Sequence, residues 1–119
     1  VEKSVLEDMT TRRKSPRVNC HWGGRFQNTQ RQTARVTVKN ISMGGLGINT
    51  RMLLRKGDKV LLEFKAIHEQ KACSIRAICT VAFVVVKGDG YDVGLQFSSD
   101  MQAYRDFLTS YINGRTVGE

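Results

Sequence analysis

The run "KACSIRAICTVAFVVV" (Lys71–Val86) carries the strongest pattern in the chain. Cys73, Ile75, Ala77, Cys79, Val81, Phe83 and Val85 recur at every second position, which places seven successive apolar groups on one face of a strand. A strand of this length must curve or bulge to stay on a small domain, as barrel strands do. "KGDG" (Lys87–Gly90) follows as a hairpin turn whose glycines accept positive φ. The strand after it alternates through Tyr91, Val93, Leu95 and Phe97.

Upstream the same period recurs. Residues 58–66 alternate through Val60, Leu62, Phe64 and Ala66. "GGLGINT" reads as a short strand entered through a glycine pair. Residues 33–41 set Ala34, Val36 and Val38 against Arg35, Thr37 and Lys39, and residues 17–27 form a first strand with Val18, Cys20 and Trp22 on one face.

Downstream the period changes. Met101, Tyr104, Leu108 and Tyr111, with Phe107 and Ile112 beside them, follow helical spacing. Ser99 with Gln102 fits a capping box, Asp100 suits the first turn, and Gly114 offers a stop. Six short antiparallel strands leave exposed edges unless they close on themselves. The expected fold is therefore mainly all-β: a six-stranded antiparallel β-barrel, with a C-terminal α-helix packed across an open end or a side.

The chain has 119 residues, enough for one domain with a core and too few for two. No apolar run approaches the roughly 20 residues of a membrane span. "VEKSVLEDM" at the start has no apolar stretch of the kind a signal peptide needs and no initiator Met, which fits a piece of a longer chain or a processed one. Residues 1–11 read as a linker end or lead-in. Cys20, Cys73 and Cys79 are odd in number, and Cys73 and Cys79 would lie about 20 Å apart on one strand, too far for a disulfide. They read as small buried hydrophobes in a reducing cytoplasm. His21 and His68 have no ligand-like neighbours, and no nucleophile–base pair, carboxylate dyad or metal set is visible, so neither an enzyme nor a metal cofactor is expected.

The formal net charge of +8 is uneven. Residues 1–56 carry a net +9 and residues 57–119 a net −1, and no acidic residue stands between Asp8 and Asp58. A positive half on a small domain suits an anionic partner: nucleic acid, a phosphorylated ligand or a membrane surface. It is equally what a solvated basic face looks like.

Two short stretches carry chemistry. In "RRKSPR" (Arg12–Arg17) Pro16 holds Ser15 extended and removes a donor, so the segment does not continue as a helix. Arg13 and Arg17 are thus presented from an extended or turning arm, and a guanidinium makes bidentate bonds to phosphate or to the guanine O6/N7 edge. In "NISMGG" (Asn40–Gly45) Asn40 offers an amide, Ser42 a hydroxyl, and Gly44 and Gly45 unusual backbone angles without Cβ bulk. Such turns expose N–H groups that bind phosphate, although Asn, Ser and Gly are also ordinary turn residues.

Together and in this order the two stretches resemble the PilZ domain family, bacterial receptors for cyclic di-GMP. Arg13-Lys14-Ser15-Pro16-Arg17 matches its R-x-x-x-R motif, and Asn40-Ile41-Ser42-Met43-Gly44-Gly45 its [D/N]-x-S-x-x-G motif. "YDVGLQF" (Tyr91–Phe97) looks like the family's closing strand. The resemblance covers about residues 12–112; the domain is taken as residues 12–114, with 115–119 as a tail. It implies a six-stranded barrel with a helix, in agreement with the periodicity.

It also implies roles. Arg13 and Arg17 grip phosphates and guanine edges, Asn40 and Ser42 contact guanine and phosphate, and Gly44 and Gly45 leave room for the ligand. Where some relatives have Asp, Asn40 has one acceptor oxygen in place of two, which lowers affinity modestly. Arg12 favours a self-stacked pair of ligand molecules. An arm from about residue 9 to 17 then orders over the barrel and signals to a partner protein or a linked domain. The remaining readings are a nucleic-acid-binding barrel, which wants exposed aromatics that the basic half supplies only as Trp22 and Phe26, and a ligand-free protein-docking adaptor.

Overall fold

The computed structural model of the chain describes residues 17–117. Six strands follow one another: β1 (Val18–Asn28), β2 (Thr33–Ile41), β3 (Gly45–Thr50), β4 (Lys59–His68), β5 (Lys71–Lys87) and β6 (Gly90–Phe97). A single 3-10 turn (Gln102–Tyr104) leads into one helix, α1 (Arg105–Val117). The strands close into an antiparallel barrel in the order β1-β2-β3-β6-β5-β4. Closure gives every strand a neighbour on both sides, although residues 18–23 of β1 pair only with β2 and residues 83–87 of β5 only with β6.

The inward face of each strand fills the barrel. Phe26, Val38, Ile41, Leu46, Ile48 and Leu62 are fully buried. Burial of such side chains contributes about 1.5–3 kcal/mol each. The helix adds Leu108, Tyr111 and Ile112, and Trp22 of β1 meets the Tyr111 ring at a centroid distance of 4.8 Å. The helix therefore lies against the barrel through one apolar stripe, as its spacing predicts.

Three expectations are corrected. The seven apolar groups of β5 do not share one face throughout. A bulge between Val81 and Phe83 shifts the register against β6, so Ile75 to Val81 point inward while Phe83 and Val85 turn outward, 44% and 53% exposed. The helix start is not a capping box on Ser99. The Ser99 hydroxyl accepts the Ile78 N–H over 3.0 Å, and Asp100 instead accepts the Gln102 N–H over 2.9 Å. Nor does Gly114 end the helix, which runs on to Val117. Glycine disfavours a helix by only about 1 kcal/mol, and a Cβ at 114 would meet the His68 ring at ordinary contact distance, with Cε1 at 3.7 Å.

The hairpin at Lys87–Gly90 forms as expected, with Gly88 at φ +62°. No helix among the described residues is long and apolar enough to cross a membrane. Cys20, Cys73 and Cys79 form no disulfide with one another, and burial pushes the Cys79 thiol up to about 12.

Candidate functional site

The register places five residues side by side across the outer face of the barrel: Asn19 on β1, Asn40 on β2, Gly47 on β3, Gly94 on β6 and Phe83 on β5. Neighbouring strands lie about 4.8 Å apart. Two glycines stand at the centre of this row, and both are buried because a side chain covers each from its own side.

Asn40 comes from the β2 side. Its amide lies over Gly47 so closely that a Cβ at 47 would stand 2.7 Å from Nδ2 and 2.9 Å from Oδ1. A bulge between Val38 and Asn40 gives the side chain this aim. Its Oδ1 is buried and has no hydrogen-bond partner. Leaving a buried acceptor unmatched costs about 1–3 kcal/mol, so the fold holds this group against its own interest. From the other side comes Phe83, whose ring covers Gly94; a Cβ at 94 would collide with it. The ring is 44% exposed, which leaves an aromatic surface open to solvent.

The turn after β2 is built differently from its sequence expectation. The Ser42 N–H and hydroxyl both donate to the Gly45 carbonyl, over 2.8 and 3.2 Å. The hydroxyl in turn accepts the Gly44 N–H over 3.3 Å. Ser42 is 5% exposed. Its hydroxyl and two turn N–H groups are thus committed inside the turn rather than presented to a ligand. Neither Gly44 nor Gly45 takes a positive φ. Gly44 is exposed with open space where a Cβ would sit, whereas at Gly45 a Cβ would strike the Leu95 carbonyl of β6. The second glycine of the pair therefore serves the β3–β6 approach. Met43 points to the helix, where Thr109 Oγ1 approaches its sulfur at 4.0 Å.

Arg17 is exposed and stands one residue before the Val18–Ile41 pair, beside the entry to this turn. It makes no ion pair with a described residue. Arg12 and Arg13 lie outside the described residues. The structure thus brings Arg17, Asn40 and the turn together and adds Gly47, Gly94 and Phe83. The alternation of β5 hid Phe83 by assigning it inward. The two glycines stood in plain view in "GGLGINT" and "YDVGLQF", but their adjacency depends on a register that no local pattern encodes.

One row further along, Asn49 Nδ2 donates to Asp92 Oδ1 over 2.9 Å, and Lys87 Nζ lies 3.5 Å from Oδ2. That hydrogen bond, followed by the nearby Lys87 and Lys39 charges, holds the Asp92 carboxyl below its ordinary value despite partial burial. Among the described residues no group of three or more His, Cys, Asp or Glu is placed to hold a metal ion.

Comparison with known proteins places the fold and the family. A search of curated protein sequences finds no match. In solved structures the chain is similar to the Bacillus subtilis inhibitor of motility MotI/DgrA, with a TM-score of 0.79 and 17% identity over 90% of this chain and 52% of that one. It is similar to the Escherichia coli YcgR PilZ domain with c-di-GMP, with a TM-score of 0.67 and 14% identity over 90% and 93% of the two chains. It is similar to the K. pneumonia MrkH–c-di-GMP complex, with a TM-score of 0.68 and 16% identity over 89% and 53%. The chain thus spans about half the length of MotI/DgrA and of MrkH. The model of the PilZ domain family matches residues 11–114, and the chain belongs to that family.

Proposed function

We propose that the chain is a receptor module for cyclic di-GMP, and that the ligand lies on the Asn40–Gly47–Gly94–Phe83 row. The observation that carries this is the unmatched Oδ1 of Asn40, buried over Gly47 next to the half-exposed Phe83 ring over Gly94; a swing of the amide off Gly47 presents it to a ligand. Guanine has the complementary parts. Its N1–H and N2–H are donors for one amide oxygen, and its flat face stacks on a ring for about 1–3 kcal/mol. YcgR and MrkH, named above in complex with c-di-GMP, share the fold.

The phosphates of this dianion fall to arginine. Arg17 flanks the turn, and Arg13 precedes it by four residues. Each charge-assisted contact contributes roughly 1.5–3 kcal/mol. Arg12 adds a cation for an outer guanine, which favours two stacked ligand molecules. Ser42 acts by holding the turn in shape. The segment from about residue 9 to 17 closes over the row when ligand binds, and its new position is what a partner protein or a linked domain reads. Its low apolar content and Pro16 support this part.

The test is a calorimetric titration of wild type, Arg13→Ala and Phe83→Ala with cyclic di-GMP. Saturable binding is expected, about tenfold or more weaker in each variant, with the stoichiometry giving the number of ligands. Absence of heat in the wild type, at a concentration where thermal shift also shows nothing, refutes the reading.

A further inference from the structure

A second feature of the outer face has no part in the nucleotide reading. A groove of about 910 Å³ crosses β3, β2, β1, β4 and β5. Its charged lining is Arg51, Arg35, Arg25, Lys65 and Arg76 against the single carboxylate of Glu63. All six are exposed. The groove begins at Thr37 and Asn49, one row from the glycine row, and its cations lie beyond: Arg35 stands five residues before Asn40, roughly 15 Å along β2.

Two observations mark it as more than a solvated face. Arg25 and Arg35 are direct cross-strand partners in the β1–β2 ladder. Like charges directly opposite one another destabilise a sheet, and neither makes an ion pair with a described residue. Glu63, the partner of Arg25 on the β4 side, also lies 3.7 Å from Arg76 and so offsets only part of this repulsion; an anionic ligand would relieve the rest.

The second is the floor. Gly24 is required by packing, because a Cβ there would stand 2.6 Å from the Glu63 carbonyl oxygen. Its neighbour Gly23 is not: nothing lies within 4 Å of a Cβ at that position, and its φ is not in the left-handed region. The sheet has no use for this glycine, and its effect is to keep the groove open between the cations.

We propose that this groove binds an extended, acidic segment of a partner polypeptide. Five strands at about 4.8 Å span roughly 19 Å, which is about six residues of extended chain. Arginine forks match carboxylates in bidentate fashion. A polypeptide also tolerates Glu63, because it brings N–H donors; a DNA phosphodiester backbone brings only acceptors. The one aromatic side chain in the lining, Phe64, is 4% exposed, so the groove offers no platform for bases. At the centre of the groove β1 and β4 are paired on both sides, so recognition there runs through side chains.

The test is fluorescence anisotropy at low salt, without nucleotide, using a labelled octapeptide of alternating Glu and Ser. A Gln/Ser peptide and an eight-residue oligo-dT serve as the comparison ligands. The expected result is binding of the Glu/Ser peptide alone, at least tenfold weaker in Arg25→Glu/Arg35→Glu. Gly23→Val, which leaves charge unchanged, weakens it at least fivefold while melting temperature and circular dichroism hold. If Gly23→Val disturbs the fold, Lys65→Glu gives an independent reading from β4, with the same direction expected. Failure of the wild type to bind the peptide overturns the proposal. So does equal binding by Gly23→Val, which would reduce the effect to diffuse charge, and so does tighter binding of oligo-dT sensitive to the same variants.

Discussion

The hydroxyl of Tyr111 donates to the carbonyl of Asn19 over 2.9 Å, and so ties the C-terminal helix to β1 two residues after Arg17. The same ring sits against Trp22 at 4.8 Å and against His68 at 5.2 Å. The helix therefore supports the strand end from which the cationic segment departs. Tyr111→Phe keeps the ring contacts and removes the donor. It is expected to cost about 1 kcal/mol, read as a fall in melting temperature of roughly 4 °C.

Gly45 and Gly47 both belong to β3 but carry different burdens. At Gly45 a Cβ meets the rigid Leu95 carbonyl; at Gly47 it meets only the end of the Asn40 side chain. Gly45→Ala should therefore destabilise the protein by about 1–3 kcal/mol. Gly47→Ala should melt near the wild type, because Asn40 can swing away, yet lose at least tenfold in cyclic di-GMP affinity. Thermal unfolding paired with titration separates the two.

Asn40 predicts an opposition between stability and binding. Asn40→Ala removes an unmatched buried acceptor, so the ligand-free protein should be as stable as wild type or more so, while affinity falls about tenfold. Asn40→Asp offers two acceptor oxygens to the guanine N1–H and N2–H pair and should bind several-fold tighter than wild type. Parallel denaturation and binding curves for the three proteins check both statements.

Asp92 sets an acid limit. Its carboxyl lies below the ordinary 3.8, chiefly through the Asn49 hydrogen bond. A depressed carboxylate contributes stability above its unfolded value and loses it as pH falls through the folded one. The stability advantage of wild type over Asp92→Asn should thus be full at pH 6 and shrink below pH 3.8. Urea unfolding of both proteins at several pH values reads it directly.

The strands were legible because period-two burial is local. β2 runs over the predicted 33–41, and β5 and β6 lie within one residue of expectation. The length of β5 implies a bulge but does not place it, and the one residue at Val81/Phe83 turns Phe83 from a core position into an exposed ring. The turn motif was visible, but its division of labour was not. Ser42 binds its own turn and Gly45 yields to Leu95, both consequences of tertiary packing. Likewise Arg25 and Arg35 are ten residues apart in sequence, and only the hairpin register reveals that they face one another.

Ligand recognition is assigned to the glycine row of the outer face. Amide chemical-shift mapping during titration with cyclic di-GMP tests it most directly. The largest shifts are expected on Asn40, Gly47, Phe83 and Gly94 together with Arg17. Shifts centred on Arg25, Arg35 and Lys65, with the glycine amides unmoved, would contradict it.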